Sequence, residues 1–169
     1  MTHPALLQTR RQYLLRSAGL AFATLSAWPS VQAAGPALPM ALSLRDELAL
    51  ALEKGSPLLV MVSLEGCPFC KIARENYLIP LRKQQGISVV QVDMRSQQAV
   101  QDFGGIGQTH DSLIRGWGIK MAPTVLFFGP SGAEVAERLV GASSDYYGTY
   151  LDNRVNAARA LIRVRPNMN

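Results

Sequence analysis

Leu58-Leu-Val-Met-Val-Ser-Leu-Glu-Gly-Cys-Pro-Phe-Cys-Lys-Ile-Ala-Arg74 decides how the chain is read. Leu58 to Leu64 is a short apolar run of the kind that forms a buried strand. Glu65-Gly66 interrupts it, and Cys67-Pro68-Phe69-Cys70 opens a predicted helix. These are the only two cysteines among 169 residues. The first turn of a helix leaves backbone N–H groups unpaired and carries the positive end of the helix dipole. A thiolate at Cys67 would sit on that end, so its pKa is expected below the free value of roughly 8.5. Pro68 suits the first helical position, where a missing N–H costs nothing. Cys70 follows one turn later on the same face, within reach to close a disulfide, and Lys71 adds positive charge. A nucleophile at the helix start with a second thiol behind it is a redox arrangement.

Two other uses of the cysteines fit less well. Structural zinc wants four ligands, and only His3, His110 and carboxylates remain to complete them. A purely structural disulfide across so short a loop would stabilise little, because the effect grows with loop length.

The segment resembles the active-site strand and helix of the thioredoxin family. A second stretch carries the same resemblance: Gly116-Trp-Gly-Ile-Lys-Met-Ala-Pro-Thr-Val-Leu-Phe-Phe-Gly-Pro-Ser-Gly-Ala-Glu-Val135. In that family a proline followed by threonine and an apolar strand carries a cis peptide bond beside the dithiol. Ala122-Pro123-Thr124 matches. The resemblance covers about Ser56 to Gly141. It implies an α/β thioredoxin fold, with a mixed central sheet flanked by helices. It also implies thiol–disulfide exchange with protein substrates: a mixed disulfide at Cys67, resolved by Cys70. Pro68 and Phe69 shape the dithiol turn. Ala122 would offer backbone groups to an extended substrate, while Pro123 and Thr124 keep the groove beside the sulfurs. No cofactor beyond the Cys67–Cys70 couple is implied.

Upstream, Thr9-Arg-Arg-Gln-Tyr-Leu-Leu15 resembles a twin-arginine export signal. An apolar stretch from Ser17 to Trp28 follows, short for a membrane span, and Val31-Gln32-Ala33 gives a small-x-small cleavage pattern. Residues 1–33 are therefore expected to be a signal peptide cleaved near Ala33, with an uncleaved membrane anchor as the competing reading. The destination would be a bacterial periplasm, where disulfides form readily. Removing Arg10, Arg11 and Arg16 leaves 14 basic against 12 acidic residues, so the whole-chain charge of +5 falls to about +2. No basic face argues for nucleic acid.

Residues 34–42 read as a mobile lead-in and 43–165 as the domain. Ser43 to Lys54 is a predicted helix with a Ser43/Asp46 capping pair and Gly55 as its stop. The helix from Cys70 to Tyr77 should break or kink at Pro80, with a short helical piece ending at Gly86. Ile87 to Asp93 is a second strand, parallel to the first because a helix joins them. Ser96 to Phe103 is expected to be helical and Gly104-Gly-Ile-Gly107 a turn; the latter lacks the context of a phosphate loop. Thr109 to Trp117 is a further helix. The segment from Asp93 to Pro123 thus reads as an inserted helical element before the Pro123 strand. Thr124–Phe128 and Glu134–Val140 form a predicted hairpin. Ser144 caps a last helix to about Val164, with Leu151, Val155, Ala158 and Ile162 facing the sheet. Tyr146, Tyr147 and Tyr150 read as a partly exposed aromatic seam.

The chain departs from the family in two places. The buried acid usual six residues before the first cysteine is Met61, and the aromatic usual four before it is Ser63. Glu65 is expected to be exposed. The Pro68-Phe69 pair is closer to the Pro-Tyr of glutaredoxins, and no histidine lies between the cysteines. The last two points favour a reductant or isomerase-like helper over a strong oxidant; the leading expectation is a reductase supplied by an inner-membrane thiol donor, with cytochrome-maturation, sulfur-oxidation or misoxidised proteins as clients. A thiol oxidase or isomerase is the alternative. With no separate dimerisation segment, a monomer is expected. A different class, copper held by both cysteines and His110, competes with a plain surface-loop histidine.

Overall fold

A computed structural model describes residues 37–142 and 145–164. The expected export signal and the Ser144 cap lie outside the described residues. The elements in chain order are α1 (Leu44–Glu53), β1 (Leu58–Ser63), α2 (Pro68–Ile72), a π-helical stretch (Ala73–Leu78), α3 (Ile79–Gln85), β2 (Val89–Asp93), β3 (Ala99–Gln101), β4 (Gly107–Thr109), α4 (His110–Gly116), β5 (Thr124–Phe128), β6 (Leu139–Val140) and α5 (Tyr147–Val164).

β1 is buried along its whole length. A strand of such side chains needs a layer on each face, and both are present. One sheet has the order β2-β1-β5-β6, with β1 parallel to β2 and antiparallel to β5. Leu59 and Met61 point into a core with Phe127, Leu78, Leu151, Val155, Ala158 and Ile162. Leu58, Val60 and Val62 point the other way, against Leu44, Leu48, Ala51, Leu113 and Ile114. Thus α2, α3 and α5 cover one face, and α1 and α4 the other. Ser43 starts α1 by accepting the Asp46 N–H at 3.3 Å.

Pro80 does not break its helix. The chain stays helical from Pro68 to Gln85, and the turn before Pro80 widens into the π-helical stretch. Proline lacks the N–H for an ordinary helical bond and crowds the carbonyl one turn back; wider winding there absorbs both defects. Gly86 then ends α3 at φ +66°, the left-handed conformation glycine tolerates best.

The expected helix over Ser96–Phe103 is instead the first arm of an antiparallel hairpin, β3 with β4. The Asp102 carboxylate accepts N–H groups from Gly104 at 2.9 Å and Ile106 at 2.8 Å, which folds the glycine-rich stretch into the hairpin turn. Only Val100 is buried in β3, the alternation of a strand. The inserted segment is therefore a hairpin followed by α4, where Thr109 caps the helix by accepting the Ser112 N–H. The second arm of the later hairpin is also shorter than expected. Leu139–Val140 pairs with β5, and Glu134 makes a single bridge to Phe128.

The predicted lead-in is pinned at its end. Gln91 donates its N–H to Pro39 O at 2.8 Å, Ala41 donates back to Gln91 O at 2.9 Å, and Leu38 is buried. The free edge of β2 supplies these partners, so Leu38–Ala41 lies along the sheet. His110 is not on the surface: it is fully buried. Its Nδ1 accepts the Asp93 N–H at 3.2 Å, so the ring proton sits on Nε2, 3.0 Å from Ala41 O. The ring ties the insert, β2 and the chain before α1 together.

Replacing His110 by Ala would leave the part-buried Asp93 N–H and the buried Ala41 carbonyl without this partner. Each costs about 1–3 kcal/mol, so His110→Ala should lower the unfolding free energy by about 2–5 kcal/mol in a urea titration. A loss under about 1 kcal/mol would show that the ring is not the clasp.

Candidate active site

The turn Glu65-Gly66 leaves β1 at the end of the sheet, with Gly66 at φ +72°. Cys67 is the N-cap residue of α2, and its sulfur receives the Cys70 N–H at 3.2 Å. The cap is thus made by a sulfur where an oxygen is usual. Pro68 takes the first helical position as expected. Cys67 is half-buried; Cys70 is wholly buried, and both are free thiols. The outer sulfur can meet a substrate and the inner one can be reached only through it.

The second predicted stretch arrives at the same place. The Ala122–Pro123 peptide is cis, and Ala122 O lies 3.9 Å from the Cys67 sulfur. Thr124 is buried and donates its hydroxyl to Met121 O at 2.8 Å, holding the loop before β5. Phe69 stands 48% exposed beside the dithiol, an apolar contact for a partner. Glu65 is exposed as expected, and Met61 is buried in the core.

Burial pushes the Cys70 thiol up to about 11, and its hydrogen bond with Cys67 adds to the rise; the Leu64 backbone and the Ser63 hydroxyl pull it down. Tyr147 packs in the same core as Cys70. Its hydroxyl is buried without a hydrogen-bond partner among the described residues, and burial holds it well above the usual phenol range.

A polar corner escaped the sequence reading. Ser63, at the end of β1, is paired with Asp93 at the end of β2, and Met61 with Gln91. Arg74 reaches down from the helix that Cys67 opens. It donates from Nη2 to Ser63 Oγ at 3.0 Å and from Nε to Gln91 Oε1 at 2.8 Å. Gln91 Nε2 donates to Asp93 Oδ1 at 2.8 Å. The available signal was Gln91, a lone amide inside an otherwise apolar strand. Arg74, Gln91 and Asp93 line a groove of about 1040 Å³ that also borders Cys67, Lys71 and Arg95. His110 is spent on the core, with both ring nitrogens engaged. Among the described residues no three His, Cys, Asp or Glu side chains converge to hold a metal ion.

Residues 44–151 match the model of the thioredoxin-like domain family, and the chain belongs to that family. With its dithiol at the helix start it is a thiol–disulfide oxidoreductase. Solved structures similar to it include a Fasciola hepatica thioredoxin, at 18% identity and TM-score 0.49 over 70% of this chain and 97% of that one. Arabidopsis thaliana thioredoxin O2 in its oxidised state aligns at 15% identity and TM-score 0.47, over 68% and 93%. A poplar thioredoxin h aligns at 23% identity and TM-score 0.46, over 64% and 84%. A comparison with curated proteins finds no match.

The raised Cys70 thiol makes the stability of the reduced protein depend on pH. The folded state holds this proton more tightly than the unfolded chain, so its contribution is full below about pH 9 and is lost as pH rises towards 11. Reduced wild type should therefore lose on the order of 2 kcal/mol across that window that Cys70→Ser does not lose. Equal losses in chemical denaturation would place the titration elsewhere.

Proposed function

We propose that the protein is a periplasmic disulfide reductase that acts on protein disulfides. The reading rests above all on one observation: a half-buried Cys67 caps a helix beside Ala122 O, above a buried Cys70. The Cys67 thiolate attacks a substrate sulfur, the substrate S–S bond breaks, and one substrate thiolate leaves. The product is a mixed disulfide at Cys67. Cys70 then attacks the Cys67 sulfur, releases the second substrate thiolate and closes Cys67–Cys70. Two electrons have passed to the substrate, and a donor thiol must return them. For an exported chain that donor would be a thiol carrier of the inner membrane. Phe69, Ala122, Pro123 and Thr124 would form the rim that receives an extended substrate.

The twin-arginine-like Thr9–Leu15 segment supports export, and the absence of a histidine between the cysteines supports a reductant. Export is tested by fractionating cells that make the full chain. A chain found in the periplasm, and lost from it on Arg10→Lys with Arg11→Lys, meets the expectation; a cytoplasmic chain overturns it.

The reduced protein should reduce insulin disulfides. Cys67→Ser should abolish this, and Cys70→Ser should accumulate mixed disulfides visible on non-reducing gels. Turnover by Cys67→Ser would disprove the assignment of the nucleophile. The equilibrium potential of the couple in dithiothreitol or glutathione buffers decides direction. A value near −270 mV fits a reductase, and one near −120 mV makes the protein an oxidant.

A further inference from the structure

We infer that the charged groove beside Cys67 binds one arm of a small zwitterionic disulfide: an amino-acid or short-peptide disulfide whose halves each carry a carboxylate and an ammonium group. The inference rests on the reading of Cys67 as the attacking thiol, and it adds a second class of substrate to protein disulfides.

Cys67 stands between two different surfaces. On one side is Ala122 O, 3.9 Å from its sulfur. On the other is the groove of about 1040 Å³, which Cys67 lines and Ala122 and Pro123 do not. The groove opens beyond the carboxyl ends of β1 and β2, the parallel strands that α2 and α3 join. That crevice is the common ligand position of a strand–helix–strand unit. Six charged side chains line it, the basic Lys71, Arg74 and Arg95 and the acidic Glu65, Glu75 and Asp93. Among the described residues none of them is in an ion pair, although four such pairs form elsewhere. The groove therefore carries no net charge, but each of its charges is open to a ligand. Hydration alone accounts for the exposed Glu65 and Lys71. Two other features need more than hydration.

The first is a fixed pair of opposite charges. Arg74 is half-buried, and its Nε and Nη2 are held by Gln91 Oε1 at 2.8 Å and Ser63 Oγ at 3.0 Å. Both acceptors are neutral, so they aim the guanidinium without offsetting its charge. Its Nη1 has no hydrogen-bond partner among the described residues. Asp93 is also half-buried, and its Oδ1 accepts Gln91 Nε2 at 2.8 Å. Gln91 thus holds a cation at one end of its amide and a carboxylate at the other without letting them meet. A carboxylate and an ammonium on one carbon are complementary to that spacing. The second feature is Arg95, at φ +62°. This conformation is costly for any residue but glycine. The Asp111 carboxylate holds it by accepting the Arg95 N–H at 3.0 Å. Glycine would suit this backbone better, so the arginine side chain at the groove is what the strain serves.

The Cys67 thiolate attacks one sulfur of R–S–S–R. That S–S bond breaks, and the first R–S⁻ takes up from water the proton that Cys67 gave up. The other R stays as Cys67–S–S–R, its carboxylate towards Arg74 and Arg95 and its ammonium towards Asp93 and Glu75. Cys70 then attacks the Cys67 sulfur, and the second R–S⁻ leaves with the Cys70 proton. The dithiol and R–S–S–R have become Cys67–S–S–Cys70 and two R–SH.

The test compares oxidation of the reduced full chain by four disulfides at pH 7, read as loss of alkylatable thiol. Cystine carries both charges on each half, cystamine the ammonium alone, 3,3′-dithiodipropionate the carboxylate alone and 2-hydroxyethyl disulfide neither. Each rate is divided by the rate of dithiothreitol with the same disulfide, which removes the intrinsic reactivity of the sulfurs. Cystine has no net charge at this pH, so any preference for it reports local contacts. Its normalised rate should exceed that of 2-hydroxyethyl disulfide about tenfold, the range for two or three partly exposed ion pairs, and should exceed both singly charged probes. Arg95→Gly and Glu75→Gln should each lower the preference about threefold or more. Arg95→Gly should slow dithiodipropionate more than cystamine, and Glu75→Gln the reverse. Because glycine relieves the backbone at 95, the urea midpoint of Arg95→Gly should not fall below wild type, which separates binding from folding. Equal normalised rates for all four disulfides overturn the inference. So does a singly charged probe that outruns cystine, or a cystine preference that survives both substitutions together. Failure of all four to oxidise the chain would sink the dithiol reading, and the inference with it.

Discussion

Burial of β1 on both faces is the constraint on which the site depends. A strand sealed this way cannot slip by one residue without exchanging two sets of core side chains. Its register against Val89–Asp93 and Thr124–Phe128 is therefore fixed. That register puts the Glu65-Gly66 turn at the end of the sheet and starts α2 there. The loop before β5 is fixed by the same pairing, which brings Ala122 O to 3.9 Å from the Cys67 sulfur. Neither half of the site needs local rigidity of its own, because both are delivered by the most deeply buried strands.

The parts legible in the sequence are those that one local pattern decides. The apolar run of β1, proline after Cys67, the glycine stop at Gly86 and the Pro123-Thr124 strand each carry their own signal, and each was read in place. The misses share a different cause: their outcome depends on partners far away in the chain. Ser96–Phe103 has no strong helical or strand period, and the Asp102 turn and pairing with β4 decide it. Pro80 is tolerated because the preceding turn can widen inside a helix held down by the core. His110 looks like an ordinary loop histidine until Asp93 and Ala41 close on its two nitrogens. Arg74, Ser63 and Gln91 come from three separate elements, and nothing local says that they meet.

Met61 bears on how this member of the family manages its buried thiol. A carboxylate beside the inner cysteine could take its proton, but a negative charge would also raise that thiol. Met61 packs in the same core as Cys70 and supplies neither a base nor a charge. Burial drives the Cys70 thiol up to about 11, so the resting thiol stays protonated at neutral pH.

A thiol that stays protonated at neutral pH gives the reduced form no stabilisation through its anion, so the buried Cys70 adds nothing to the oxidising power of the couple. Resolution therefore asks that the Cys70 proton leave as the sulfur attacks. The Cys67 sulfur it attacks lies on the same turn, where it already receives the Cys70 N–H at 3.2 Å. The step then needs no rearrangement of the helix start that β1 holds in place.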